Sequence, residues 1–313
     1  MVLMDKMKIS IVTVNYNGAE DTINLLNIFK NQTDSDFELI VVENGSNVAD
    51  IDRLNEYQKK HGWQNLVVIK NGQNLGFSGG CNVGIKKALA GGSKWVILIN
   101  NDTTPEKDFI ARLKAVLRLK RGVVSIPLDE GGHTAYAGLV KWLKPTLGHI
   151  YTPEYNGCLC GLKDSHCIQR GHCVSNIYAI GGGAAISSDV FEKIGLMDED
   201  YFLYFEDADL SLTAAQAGFS IGIAEGVSIN HKVSASTKKL GSPLLLRYHY
   251  RNALYFNRKF GPWWVQILLW PWSIWIIKKQ IIKLIFGIEK ERSQAILNGV
   301  FDFYKDKMGK IGN

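Results

Sequence analysis

Two short polar clusters, far apart in the chain, carry the chemistry this sequence can do. The first, Asn100-Asn101-Asp102, ends the apolar run Trp95-Val96-Ile97-Leu98-Ile99. A carboxylate beside two amides, just beyond the carboxyl end of a buried strand, can hold a divalent cation and the phosphates it bridges. The same residues, followed by Thr103-Thr104-Pro105, would equally serve as a turn that caps a helix. The second cluster is Phe202-Leu203-Tyr204-Phe205-Glu206-Asp207-Ala208-Asp209. Its acids suit a helix N-terminus, where they oppose the positive end of the dipole. A carboxylate framed by aromatic rings also suits general-base work, its pKa set by partial desolvation. His231 follows a later strand and would reach the same sheet edge as Asp102. There a neutral imidazole completes a metal shell or touches phosphate, and elsewhere it is an ordinary structural residue.

The elements that must position these groups read as alternating strands and helices. Ile9-Ser10-Ile11-Val12-Thr13-Val14 is a first strand, ending at Asn15-Tyr16-Asn17-Gly18 before a helix with apolar Ile23, Leu26 and Phe29. Residues 37–42 repeat the plan, running into Glu43-Asn44-Gly45-Ser46-Asn47 and a polar helix over residues 49–61. A third strand at residues 66–69 precedes the glycine-rich stretch 74–84, expected to be a loop in which Asn74 and Asn82 hydrogen-bond a nucleotide and Gly76 lets backbone approach it. That stretch does not match Gly-x-Gly-x-x-Gly and follows the third strand, which argues against a dehydrogenase. Ile180-Gly181-Gly182-Gly183-Ala184-Ala185 gathers small residues where backbone or a bulky ligand must come close. Strands that each end in Asn, Asp, Glu or Gly predict a doubly wound sheet with a nucleotide laid across the strand ends.

Composition narrows the function classes. The chain has 313 residues, 46% hydrophobic and 21% charged, enough for an α/β core with an appended element. Its net charge of +6 is spread without a basic run, which gives no case for nucleic acid. The N-terminus passes straight into a strand, with no apolar segment of signal-peptide length, so the expected location is cytoplasmic. Cys158, Cys160, Cys167 and Cys173, with His166 and His172, sit in an aperiodic region, residues 129–175, expected to hold long loops or a lobe over the site. Their spacing leaves structural zinc and reduced thiols both open, and the compartment disfavours disulfides.

Taken in order, Val14-Asn15-Tyr16-Asn17, Val42-Glu43-Asn44-Gly45-Ser46, the Asn74-to-Gly84 stretch, Asn100-Asn101-Asp102, the Gly-Gly-Ala turn and Phe205-Glu206-Asp207-Ala208-Asp209-Leu210 resemble the inverting glycosyltransferases of family 2, in particular rhamnosyltransferase-like members. The resemblance spans nearly the whole chain. It implies a GT-A fold, a mostly parallel sheet flanked by helices, with a nucleoside-diphosphate sugar donor (dTDP or UDP, rhamnose favoured) and Mn or Mg. By position, Val14, Tyr16, Glu43, Asn74, Gly76, Asn82 and Asn101 would bind the nucleotide. Gly183, Ala184 and Glu206 would meet the donor sugar, Asp102 with His231 the metal, and Asp207 would be the catalytic base. Arg251, in an Arg-Asn pair, would reach phosphate. Glu43 stands where the family usually has Asp, and the metal triplet opens with Asn rather than Asp.

The C-terminal region, residues 241–313, differs in kind from the catalytic domain expected over 1–240. Residues 262–277, Pro-Trp-Trp-Val-Gln-Ile-Leu-Leu-Trp-Pro-Trp-Ser-Ile-Trp-Ile-Ile, are followed by Lys278-Lys279. The run is short for a bilayer span of about 20 residues, and Trp beside Lys marks an interfacial helix. The expectation is a helical arm on the inner face of the cell membrane, suited to a lipid-linked saccharide acceptor in cell-surface polysaccharide synthesis. A buried oligomer or domain contact is the other reading. Two rival functions stand beside the transferase. A sugar-nucleotide pyrophosphorylase would want a cationic phosphate loop after the first strand, which Asn15-Tyr16-Asn17-Gly18 lacks. A non-catalytic membrane-surface module would not need Asp102 and Asp207 together.

Overall fold

The computed structural model describes residues 7–153, 176–231 and 242–312. The cluster of Cys158, Cys160, Cys167 and Cys173 with His166 and His172 lies outside the described residues. Among the described residues the free cysteine is Cys81, buried.

The strands β1 (Ile9–Asn15), β2 (Glu38–Asn44), β3 (Leu66–Asn71) and β4 (Trp95–Ile99) form the parallel half of a seven-stranded sheet, in the order β3-β2-β1-β4. Side chains alternate between its faces as a pleated strand requires. Ile9, Ile11, Leu39, Val41 and Ile97 join one core, with α1 (Ala19–Lys30) and α4 (Phe109–Leu117) supplying Leu25, Phe29, Phe109 and Leu113. Val12, Ile40, Val42, Val96 and Leu98 join the other, against Ile85 and Ala88 of α3 (Gly76–Ala90), with Val190 of α5 (Ser188–Ile194) and Leu210 of α6 (Glu206–Gln216). The polar helix α2 (Val48–His61) packs on α1 and is capped by Asn47, whose side chain accepts from Asp50 N–H.

Past β4 the sheet changes direction. β12 (Gly183–Ser187) runs antiparallel to β4 and to β6 (Val123–Ser125), and β13 (Ile221–Ile223) closes the edge parallel to β6. Because β12 is antiparallel, its first residue, Gly183, pairs with the last residue of β4, Ile99. The described part of the aperiodic region, residues 129–153, contributes short strands to two small sheets. β5 (Thr103–Pro105), β14 (Ile229–His231), β7 (Leu128–Asp129) and β8 (Thr134–Ala135) make one small sheet; β10 (Gly148–Ile150), β9 (Ala137–Leu139) and β11 (Ile177–Tyr178) make another.

The glycine-rich stretch is mostly helix rather than loop, since α3 begins at Gly76. Glycine in a helix interior costs about 1 kcal/mol relative to alanine. Here it allows close contact with the sheet: a Cβ on Gly84 would lie 2.3 Å from Val12 Cγ1. The C-terminal region folds as three helices, α7 (Pro243–Phe260), α8 (Trp263–Ile285) and α9 (Lys290–Tyr304), with Leu254, Leu269, Ile276, Ile296 and Val300 in their shared core. Among the described residues, no helix is long and apolar enough to cross a membrane.

Candidate active site

The site forms where β4 ends and β12 begins. Asn100 N–H donates to Gly182 O at 3.3 Å, and the next backbone N–H, that of Gly181, donates to Asp207 Oδ2 at 2.9 Å. Asp207 Oδ1 accepts from Ala208 N–H at 2.8 Å, as a carboxylate in the first turn of a helix does. Asp102 follows the end of β4, and Gly181 ties Asp207 to the backbone just before β12, which pairs with that end.

Burial pushes the Asp207 pKa up, while the two backbone N–H donors and the charge of His149 on β10 oppose that shift. Its neighbour Glu206 is buried more deeply, with Oε2 lacking any hydrogen-bond partner, and its pKa is raised far above the carboxylate range by desolvation and by the charge of Asp207. Two adjacent buried carboxyls do not ionise together. The Gly181 and Ala208 N–H donors favour the charged form at Asp207, whereas desolvation and the charge of Asp207 favour the neutral form at Glu206. Glu206 therefore packs behind the base rather than offering a charge to a sugar.

His231 closes the other side of the edge. It pairs with Thr103 across β14 and β5, which sets its Nε2 3.3 Å from Asp102 Oδ1 and its Nδ1 3.1 Å from Glu130 Oε1. Burial would lower the imidazole pKa, but contact with Asp102 and Glu130 outweighs it and the net shift is upward. Nε2 is buried and makes no well-directed hydrogen bond. An imidazole nitrogen facing a carboxylate oxygen is a donor set that fits Mn or Mg, with a ligand's oxygens filling the other positions. Among the described residues, no three His, Cys, Asp or Glu side chains converge on one metal position.

The expected nucleotide contacts divide. Tyr16 stands 51% exposed at the open end of β1. Glu43 is buried at the end of β2, its Oε1 accepting Ser46 N–H at 2.7 Å, so it shapes the turn beside Tyr16. Val14 packs beneath Gly80 of α3, and Asn74 Oδ1 accepts the Gly76 N–H at 2.8 Å. Asn101 donates to Gly18 O and to Thr22 Oγ1, tying the β4 end to α1.

Five expected contact residues lie inside the fold. Asn82 is buried inside α3, its amide exchanging hydrogen bonds with the Met197 backbone and donating to Glu199. Gly76, at φ +75°, is pressed against Phe202, and a Cβ there would lie 2.2 Å from Phe202 O. Gly183 is small because Ile126 O approaches it, and Ala184 packs in the core beneath the sheet, so neither faces a sugar. Arg251 is fully buried and meets no phosphate: its guanidinium donates to the carbonyls of Asp200, Tyr201, Lys307 and Gly309. Glu130 and His149 escaped the sequence reading because both lie where periodicity is lost. Asp102, by contrast, stands three residues beyond the end of an apolar strand.

The comparisons agree with this geometry. Residues 10–158 match the family described as Glycosyl transferase family 2. Those residues form a family 2 glycosyltransferase domain. The glycosyltransferase is 24% identical over 256 residues to the dTDP-rhamnosyl transferase RfbF of Shigella flexneri, covering 79% of each chain. It is 24% identical over 318 residues to the low-salt glycan biosynthesis hexosyltransferase Agl10 of Haloferax volcanii, covering 96% of this chain and 92% of that one. Its fold is GT-A-like, similar to that of the Pyrobaculum calidifontis mannosyltransferase PcManGT in complex with GDP-Man and Mn2+: TM-score 0.54, 14% identity, 96% of this chain and 87% of the other.

Proposed function

We propose that this glycosyltransferase moves a hexose, rhamnose favoured, from a dTDP or UDP donor to a hydroxyl of a saccharide acceptor, with inversion at the anomeric carbon. The acceptor we favour is lipid-linked, in cell-surface polysaccharide synthesis on the inner face of the membrane. The Shigella relative's dTDP-rhamnosyl activity supports the donor. The observation that carries the mechanism is Asp207, oriented by Gly181 and Ala208 N–H beside the β4 end that leads to the Asp102–His231 pair.

In this reading Asp207 accepts the acceptor's hydroxyl proton as the oxygen attacks the anomeric carbon from the face opposite the diphosphate. The neutral Glu206 behind it keeps a second negative charge away from the base. Tyr16 lies against the base of the nucleotide, with Glu43 holding the turn beside it. Asp102 and His231 would hold Mn or Mg, which when bound supplies positive charge against the departing diphosphate.

Donor turnover across a panel of nucleotide sugars, with product configuration read by NMR, tests the proposal. It expects one preferred donor and an inverted linkage; a retained configuration overturns it. Asp102→Ala should weaken donor binding in the presence of Mn about tenfold or more, as losing a metal ligand does. An unchanged calorimetric titration would remove Asp102 from the metal site.

A further inference from the structure

Helix α8 is apolar on both sides, and among the described residues only one side is covered. Leu269 and Ile276 are buried against α7 and α9, and Val265 is buried beside Gly261. The opposite stripe, Trp263, Ile267, Trp270, Ile274, Ile281 and Ile285, follows helical spacing and is solvent-exposed along its whole length, reaching 74% at both ends. Phe301 of α9 extends the patch, and the Trp270 ring meets that of Tyr304 at 5.3 Å. Contiguous apolar surface of this extent marks a contact site.

Charge identifies the occupant. From residue 262 to 288 the sequence holds Lys278, Lys279 and Lys283 and no acidic residue. Lys278 falls within the exposed stripe, between Ile274 and Ile281, and Lys279 Nζ lies 5.0 Å from the Trp275 ring. Indole, aliphatic and ammonium groups side by side match the layers of a bilayer surface: acyl chains, then carbonyls, then anionic headgroups. A symmetric contact between two copies would bury Lys278 of each with no acid on the stripe to pair with it. The inner side of the helix is held by protein, so α8 would lie in the membrane plane.

We infer that the outer face of α8, with the edge of α9, docks on a phospholipid surface bearing anionic headgroups. The inference rests on this face alone and holds whatever sugar the site transfers.

Co-sedimentation of the full chain with phosphatidylcholine vesicles, with and without phosphatidylglycerol, tests it. The bound fraction should rise several-fold with phosphatidylglycerol and fall with added salt. Lys278→Glu with Lys279→Glu should lose the phosphatidylglycerol-dependent part. Trp263→Ser with Ile267→Ser and Ile285→Ser should lose binding to both vesicle types. All these side chains are exposed, and circular dichroism and donor titration check that the variants stay folded. Binding that ignores headgroup charge, or survives both sets of substitutions, overturns the inference. So does a dimer in the absence of vesicles that the serine variants dissolve, since a second copy would then cover the face.

Discussion

At the scale of single residues, the site turns on which of two adjacent carboxyls holds the proton. Asp207 has two backbone donors and Glu206 Oε2 has none, so the charged form is favoured at Asp207. Asp207→Asn should cut kcat by about 10²–10⁴, the usual contribution of a general base, and leave donor affinity unchanged. Stopped assays beside calorimetry check this, and retained turnover would remove Asp207 from the chemistry. Because its pKa is raised, the rate should fall as pH drops through a value above that of a free aspartate. Glu206→Gln should leave that limb in place. The same substitution makes a stability prediction. With Glu206 protonated in the fold and ionised when unfolded, the unfolded chain binds fewer protons, so stability declines as pH rises from the unfolded pKa to the raised folded one. The slope is about 1.4 kcal/mol per pH unit in that window, and Glu206→Gln should flatten it in denaturant titrations run across pH. Asp102 and Asp207 were legible in the sequence because each follows a strong local signal, a strand end or a helix start. The state of Glu206 was not, because it depends on backbone donors brought in from Gly181.

At the scale of elements, the strand and helix order of the first hundred residues could be read from periodicity, because β1, β2 and β4 are buried on both faces and read as apolar runs. The glycine-rich stretch misled because glycine serves two purposes. It signals a loop approaching a ligand, but at Gly84 it admits Val12 beneath a helix. Arg251 misled for a related reason, since a conspicuous cation after the site resembles a phosphate contact. Its guanidinium instead joins α7 to the carbonyls at residues 200 and 201, and Asn252 donates to those of Tyr201, Leu203 and Tyr204. That segment needs holding: Phe202, Tyr204 and Phe205 all sit at positive φ just before the base. Arg251→Ala would strand several buried carbonyls and should cost about 3 kcal/mol in urea unfolding. Arg251→Lys should recover little, because an ammonium cannot span the carbonyls that the planar fork reaches. Donor affinity of the folded fraction should not change, and a selective loss of donor binding would restore the phosphate reading.

At the scale of the whole molecule, the catalytic edge and the C-terminal helices share a core. Tyr201, Phe205, Ala208 and Leu212, around the base, pack with Ala253, Phe256 and Phe260 of α7. Lys259 reinforces the joint, its Nζ 2.7 Å from Asp209 Oδ2 and 3.0 Å from Asp198 Oδ2. The parallel half of the sheet, by contrast, fills its core from α1, α3, α4, α5 and α6, and among the described residues draws nothing from α7–α9. The two halves of the reaction therefore depend on the C-terminal helices unequally. A chain ending at residue 241 should lose transfer, because the segment leading to Asp207 loses both its carbonyl clamp and its aromatic floor. It should keep the β1 and β2 ends that carry Tyr16 and Glu43. Nucleotide titration beside a transfer assay separates the two. Weakened but measurable nucleoside diphosphate binding with no transfer is the expected result, whereas transfer at the full-length rate would show that Asp207 is positioned without α7.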